Sequence, residues 1–247
     1  MHQRLYRHQL EMQKGATATT LNYTANYVTS YQWYVNTSNS YVGGAAISGA
    51  TAATYTPPTT VNDLGTEFYY CVATGCNTTQ SGIATQHVFR NYYSKASATD
   101  FNDVASWGIN TDGTGTAPAA IDNTGAFNIQ NNSQMTLSAN ATVRALTINA
   151  GKLTVSGNTL TISILNQNNT ELNVTNGGTL EVTGGSIVLN GAAYFANGSG
   201  LTQSGGLIVL YPSSGVGATS VGGVSSANIA FGIGYTAGST ASSISTS

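Results

Sequence analysis

Leu146-Thr-Ile148, Leu153-Thr-Val155, Leu160-Thr-Ile162, Leu172-Asn-Val174, Leu180-Glu-Val182, Ile187-Val-Leu189 and Leu207-Ile-Val209 repeat one short phrase along the chain. In extended backbone successive side chains face opposite sides, so the first and third residues of each phrase share a face and the middle one looks the other way. Leu, Ile and Val are therefore predicted to point inward, and Thr147, Thr154, Thr161, Asn173 and Glu181 outward. The lead residues at 146, 153 and 160 recur at 172, 180 and 187, which is 26 or 27 residues later, and Leu180 recurs again at Leu207. A triplet of short strands returning at a fixed period predicts a three-sided solenoid, a parallel β-helix, with Leu146, Leu153, Leu160, Leu172, Leu180 and Ile187 as its inner rows.

The corners of that solenoid read from the residues between the phrases. Ala150-Gly151, Ser156-Gly-Asn158, Asn176-Gly-Gly178 and Gly184-Gly185 supply glycine and asparagine, which adopt positive φ at low cost. The longer segment Asn166-Gln-Asn-Asn-Thr170 is expected to step one coil to the next. Upstream, Phe127-Asn-Ile129 and Met135-Thr-Leu137 prepare the repeat, which places the solenoid at 126–247. Beyond Tyr211 the phrase weakens into Gly, Ser, Ala and Thr, with echoes at 221–224 and 228–235 in which Ile229, Phe231 and Ile233 alternate correctly.

Charge is scarce in all of this. Of 247 residues only 6% are Asp, Glu, Lys or Arg, while 40% are apolar; an average globular protein carries roughly 25% charged residues. The surface is then made of uncharged Thr, Ser, Asn, Gln and Gly, as suits an extracellular β protein. A net charge of −2 gives no long-range field to steer nucleic acid or an anionic membrane. No segment reaches the roughly 18 apolar residues of a membrane-spanning helix. Residues 1–14 differ in composition from the rest, hold Arg4, Arg7 and Lys14, lack the apolar run of a secretory signal, and are read as a non-native or false-start leader.

Residues 15–90 change to brief alternating strands separated by turns. Ala18–Tyr23, Tyr31–Asn36, Thr54–Pro57, Glu67–Thr74 and Ile83–Phe89 are rich in aromatic and β-branched residues. Turn signals such as Ser48-Gly49, Pro57-Pro58 and Asn62-Asp63-Leu-Gly65 lie between them. Strands spaced by about ten residues predict a β-sandwich. Trp33 then stands where the core tryptophan of an immunoglobulin-like domain stands, and Tyr69, two residues before Cys71, has the spacing of a tyrosine corner. Cys71 and Cys76 are compatible with a disulfide in an oxidising compartment and equally with two free thiols.

Tyr31-Gln-Trp-Tyr34, Ile47-Ser-Gly-Ala-Thr51 with Tyr55-Thr-Pro-Pro58, and Phe68-Tyr-Tyr-Cys71-Val72 resemble the immunoglobulin-like repeats of large secreted surface adhesins from gliding and biofilm-forming Gram-negative bacteria. Those repeats usually begin with a Cys near the place of Gln13 and Lys14; here no Cys precedes Cys71, which leaves the disulfide of the pattern without a partner and implies a parent chain that extends further upstream. The phrase Ala105-Ser-Trp107-Gly-Ile-Asn110-Thr-Asp112-Gly-Thr-Gly115 is similar to the segment placed before β-helical regions in the same proteins. The resemblance implies an extracellular, cell-surface adhesin with glycan or protein ligands and further domains in a longer parent chain.

Residues 91–125 are accordingly expected to link the two regions and to cap the first coil, whose apolar interior would otherwise be open, with Trp107 as the lid. Asn110, Asp112 and Asp122 are candidate calcium ligands, since oxygen-rich loops with Gly turns build such sites. The further acidic ligands and closing Glu of an EF-hand loop are absent, and a turn in which Asp112 bonds its own backbone ahead of Gly113 is the better reading. No other cofactor is expected.

Catalytic constellations are sparse. From Ala126 to Ser247 the charged residues are Arg144, Lys152, Glu171 and Glu181. Glu171 should fall just before a first-side strand and Glu181 within a second-side one, so the two carboxylates do not form an acid–base pair. Lys152 and Glu181 should instead meet on neighbouring coils as a weak surface ion pair. His87 is the only histidine beyond the first eight residues and no G-x-S-x-G elbow exists, so a Ser-His-Asp set is not expected. Of the 14 tyrosines, Tyr27, Tyr34 and Tyr41 are the candidate binding surface, because exposed tyrosines stack on sugar rings or protein surfaces. The expectation is a non-catalytic adhesin or binding module, all-β, with an immunoglobulin-like sandwich and a solenoid spacer. The alternative is part of a carbohydrate-active β-helix enzyme, a polysaccharide lyase or hydrolase.

Overall fold

The computed structural model describes residues 9–60, 64–163, 170–190, 192–195, 199–210 and 229–231. Among these there is no α-helix; apart from a 3₁₀ turn at Val104–Ser106, the regular structure is β-strand. The chain divides into two compact units, residues 1–89 and 90–247.

In the first unit the strands are β1 (Gln9–Gln13), β2 (Leu21–Asn22), β3 (Val28–Asn36), β4 (Ala45–Ala46), β5 (Thr54–Tyr55), β6 (Gly65–Gly75), β7 (Thr79–Gln80) and residues 84–89 of β8 (Ala84–Ser94). β4, β3, β6 and β8 form an antiparallel sheet, with β7 antiparallel on β6 and β1 parallel to β8, while β2 and β5 pair separately. Register explains the core. Trp33 faces Cys71 and Val35 faces Tyr69 on one side of the β3–β6 ladder, whereas Tyr34 and Tyr70 face each other on the opposite side. Trp33, Tyr69, Cys71, Ala73 and Ala84 are buried with Leu21 and Tyr23 in one apolar cluster. Tyr55 of β5 closes it, its ring centroid 5.9 Å from Trp33 and 5.8 Å from Tyr69. The Trp33 indole N–H donates to Ala52 O at 2.9 Å, which satisfies the one polar atom that this side chain would otherwise bury.

The structure adds to two of the readings from sequence. Gln9–Gln13, assigned to a leader by composition, form β1, with Leu10 opposite Gln86 and Gln13 opposite Phe89; residues 1–8 lie outside the described residues. Polar composition concealed the strand because an edge strand packs one face only, and of its side chains Leu10 packs on the core. Cys71 and Cys76 are both free thiols, the first buried and the second exposed.

The second unit begins with residues 90–94 of β8 and continues through β9 (Trp107–Gly108), β10 (Gly125–Ile129), β11 (Gln134–Thr136), β12 (Ala141–Val143), β13 (Ala145–Asn149), β14 (Lys152–Val155), β15 (Thr159–Ser163), β16 (Thr170–Thr175), β17 (Thr179–Val182), β18 (Ser186–Asn190), β19 (Ala192–Phe195), β20 (Gly200–Gln203), β21 (Leu207–Leu210) and β22 (Ile229–Phe231). Every third strand pairs, always in parallel. One sheet is β10-β13-β16-β19, the second β11-β14-β17-β20, the third β12-β15-β18-β21-β22. The chain thus visits three sheets in rotation, and equal apolar residues stack in rows. Phe127, Leu146 and Leu172 form one row, Met135, Leu153, Leu180 and Leu201 another, and Leu160, Ile187 and Ile208 a third. All of these are buried in a single core. The alternation read from the phrases holds: Leu146 and Ile148 are buried while Thr147 between them is partly exposed.

The period does not hold as a constant. Phe127 pairs with Leu146 and Met135 with Leu153, so the segments expected only to prepare the repeat are full members of it at a shorter spacing. Leu180 pairs with Leu201, not Leu207; Leu207 lies opposite Ser186 in the third sheet and is 41% exposed. Ile208 takes the inward place opposite Ile187. Row alignment is fixed by burial, because a one-residue slip would turn each apolar side chain to solvent, whereas corner length is free to vary. One residue, Arg144, separates β12 from β13, while 164–169 intervene between β15 and β16. The step segment 166–170 is therefore outside the described residues except Thr170. Among the downstream echoes, Ile229–Phe231 pairs in parallel with β21, and 211–228 and 232–247 lie outside the described residues.

Residues 91–125 belong to this unit. Tyr92 pairs with Phe127 in parallel, and Asp100 bridges Thr136, so the segment precedes the first row of two sheets. Trp107 is fully buried, with its ring against Phe127 at 4.8 Å and Phe101 at 5.2 Å, and its indole N–H donating to Phe101 O at 2.9 Å. The Asn102 side-chain oxygen accepts from the backbone N–H groups of Ser138 and Ala139, both at 3.0 Å. Phe101 and Trp107 thus join the buried core of this unit through Phe127.

Candidate binding surface

The three candidate tyrosines separate into two places on the first unit. Tyr34 is central on β3, and its ring stacks on Tyr70 of β6 with centroids 5.0 Å apart and planes within 4°. Tyr41, in the connection between β3 and β4, meets Tyr70 edge-on at 5.1 Å. Its hydroxyl donates to Ser81 O at 2.7 Å, and the Tyr70 hydroxyl donates to Tyr41 O at 2.9 Å. Tyr34, Tyr70 and Tyr41 are thereby engaged with one another. Val42, 84% exposed, follows immediately. Tyr70 was not singled out from sequence, although the pair Tyr69-Tyr70 on a strand must send one ring to each face.

Tyr27 is at the opposite end of β3 and stands apart, 84% exposed. Its backbone is left-handed, φ 57°, a conformation costing a bulky residue about 1–3 kcal/mol. Gly75 accommodates it, since a Cβ at that position would overlap Tyr27 O. The ladder is irregular between Val28 and Ser30, so Thr29 is an extra residue in β3, and the Thr29 hydroxyl donates to Thr74 O at 2.9 Å. The neighbouring segments are tied together where the Tyr23 hydroxyl donates to Thr79 Oγ1 at 3.1 Å. Cys71, opposite Trp33 in the core of this unit, has its thiol pushed up to about 11 by burial, which keeps it protonated at neutral pH.

The calcium candidates are used in local turns. Asp112 Oδ1 accepts from Thr114 N at 2.8 Å and Thr114 Oγ1 at 2.6 Å, and these bonds hold its carboxyl below the ordinary range. Asn110 donates to Thr114 Oγ1 at 3.0 Å. Asp122 Oδ1 accepts from Thr124 N at 2.9 Å and Thr124 Oγ1 at 2.6 Å. Among the described residues no group of three or more His, Cys, Asp and Glu is placed to hold a metal ion.

In the second unit Glu171 and Glu181 do not share a face. Glu171 lies inside β16, not just before it, at the register shift between Thr170 and Leu172, and its side chain is fully buried. Glu181 is on β17 in the next sheet, and its carboxylate is 2.7 Å from Lys152 Nζ and accepts from Thr154 Oγ1 at 3.0 Å. Arg144, also buried, precedes β13, the strand paired with β16; burial of one cation and one anion on neighbouring strands is how buried charge is normally tolerated. Glu171 and Glu181 therefore do not stand as an opposed pair of carboxylates.

No family model matches the chain, and no curated protein or solved structure matches it. No helix among the described residues is long and apolar enough to cross a membrane.

Proposed function

We propose that the chain is a non-catalytic binding module of the exported-adhesin kind, acting outside the cell as part of a longer surface protein. In this reading the first unit is an immunoglobulin-like sandwich that binds surface glycan or protein, and the second is a three-sided parallel β-helix that serves as a spacer. The observation that carries it is the division of labour between the units: the first exposes tyrosine on a nearly uncharged surface, while the second commits its apolar residues to buried rows. The burial of Trp33 against Cys71 and Tyr69, the parallel rows of Leu and Ile, and the cap around Trp107 support the fold part of the proposal. The resemblance of Tyr31–Tyr34 and Phe68–Val72 to adhesin repeats supports its placement at the cell surface.

A binding screen of the purified chain against whole cells, a glycan array and matrix proteins tests the reading. Saturable binding to at least one surface is the expected result. Absence of binding to all three, or release of reducing ends or unsaturated sugars from a polysaccharide panel, overturns it.

A further inference from the structure

The Tyr27 tip has features that the rest of the tyrosine-rich surface lacks. Tyr34 and Tyr41 are held against Tyr70, but Tyr27 projects with 84% of its surface exposed. Its left-handed backbone is unfavourable for an aromatic residue and would be relieved by glycine. A strained residue persists where its surroundings over-determine it; here those surroundings are the extra residue Thr29, its hydroxyl bond to Thr74 O at 2.9 Å, and a glycine at 75 where any Cβ would overlap Tyr27 O. The ring is thus presented from a fixed turn, which lowers the ordering cost of binding.

The surroundings define the ligand. Neither 15–62 nor 68–89 contains an Asp, Glu, Lys or Arg, so a charged ligand finds no counter-ion at this tip. Asn26, Thr74 and Asn77, on the two segments that meet here, are exposed and carry a hydroxyl and amides that can donate and accept. A protein interface of ordinary strength covers about 800 Å² per partner and centres its aromatic anchor in a packed apolar surround. Beside Tyr27 in the chain and across from it at the end of β6 stand Asn26, Thr74, Gly75 and Cys76, all small or polar, with Val28 the one larger apolar residue. One aromatic face bordered by neutral hydrogen-bonding groups matches a single sugar ring, whose C–H face is apolar and whose rim is hydroxylated.

We propose that Tyr27 is the stacking platform of a binding site for uncharged saccharides, in which the ring covers the apolar face of a pyranose and the Asn and Thr side chains around it bond the sugar hydroxyls. This deepens the adhesive reading above and rests on it. The test uses the full chain with Tyr27→Ala, Tyr27→Phe and Tyr27→Gly on an array of neutral, sialylated and sulfated oligosaccharides. Saturation-transfer NMR with maltose, cellobiose and lactose supplies a second readout. Expected are signals on neutral glycans, saturation transfer to sugar C–H protons, a loss of at least tenfold in affinity for Tyr27→Ala and Tyr27→Gly, and near-complete retention in Tyr27→Phe. Tyr27→Gly should melt no lower than the parent chain, which separates lost binding from lost folding. Glycan binding that survives Tyr27→Ala overturns the site but leaves the adhesive function standing. Binding confined to acidic glycans or to proteins overturns the ligand class alone, and no binding to any surface overturns both readings.

Discussion

The first unit fills its interior with large aromatic side chains used once each; the second, beyond the aromatic group of Tyr92, Phe101, Trp107 and Phe127 at its start, fills its interior with aliphatic rows used repeatedly. Trp33, Tyr69, Tyr55 and Tyr23 meet in one antiparallel cluster. Ile129, Ile148 and Val174, like Leu153, Leu180 and Leu201, succeed one another in parallel register. In the first arrangement stability depends on a few irreplaceable contacts, and in the second it is divided among similar neighbours. Trp33→Ala should therefore have the larger effect of the two core truncations compared here, about 3–5 kcal/mol, because it removes a fully buried tryptophan and strands the carbonyl of Ala52 that its indole bonds. Denaturant unfolding followed by circular dichroism measures this, with the fluorescence of Trp107, the other of the chain's two tryptophans, as the control that reports the second unit.

Leu160→Ala makes the matching cut in the second unit. Leu160 lies between Ala141 and Ile187 in its row, and Ala141 shows that the row admits a small residue at its beginning. In the middle of the row the same change leaves a cavity between neighbours held by backbone pairing on both sides, with a cost of about 3 kcal/mol. The Trp107 signal should shift to lower denaturant while a Trp33 signal, read in Trp107→Phe, stays in place. A larger loss than for Trp33→Ala would contradict the contrast between concentrated and distributed cores.

That same contrast decided how much could be read from sequence. The row residues from Leu146 to Leu189 were legible because each phrase obeys period two internally and recurs after a similar interval. The rows through Phe127 and Met135, and the place of Leu201 opposite Leu180, were obscured because corner length changes from one residue at Arg144 to several at 164–169, and a search for constant spacing then selects Leu207. Trp33 was legible as core by residue type, but β1 was not: Leu10 and Met12 do alternate with Gln9, Glu11 and Gln13, yet the run is only five residues long and adjoins the basic stretch with Arg4 and Arg7 that set the composition of 1–14. At the candidate surface, composition identified the tyrosines. It could not separate Tyr27 from Tyr34 and Tyr41, because their separation arises from cross-strand pairing with Tyr70 and from the close approach that Gly75 permits.

The two cysteines sharpen the description of the first unit further. Cys71 is fully buried and Cys76 exposed, and burial pushes the Cys71 thiol up to about 11. Since the thiolate is the reactive form, Cys76 should react with a chromogenic aryl disulfide at pH 8 more than about a hundredfold faster than Cys71. The second thiol should appear only on unfolding. Because the folded-state value lies above the unfolded one, the protonated thiol contributes stability fully below the ordinary cysteine range, and that contribution is lost as pH rises toward about 11. A native chain in which both thiols react equally would remove Cys71 from the core.

The smallest effect belongs to the outer face of the second unit, where the pair Lys152–Glu181 is 2.7 Å apart with both side chains about one-third exposed. Hydrogen bonds from Lys152 and Thr154 hold the Glu181 carboxyl below its ordinary value. A depressed carboxylate stabilises the fold above its unfolded value, and the contribution disappears as pH falls through the depressed folded value. Solvent and salt screen it, so Lys152→Ala should cost about 0.5 kcal/mol at neutral pH and low salt. The difference between parent and variant should vanish both in 1 M salt, where charges are screened beyond about 3 Å, and in acid after Glu181 is protonated. Thr154 provides the internal comparison: Thr154→Val keeps the β-branched shape on the sheet but withdraws the second hydrogen bond, so it should reduce the pH-dependent part while leaving the salt-dependent part, which belongs to Lys152, in place. A loss for Lys152→Ala that persists in acid would mean that the aliphatic stem of Lys152, packed along β14 and β17, matters more than its charge.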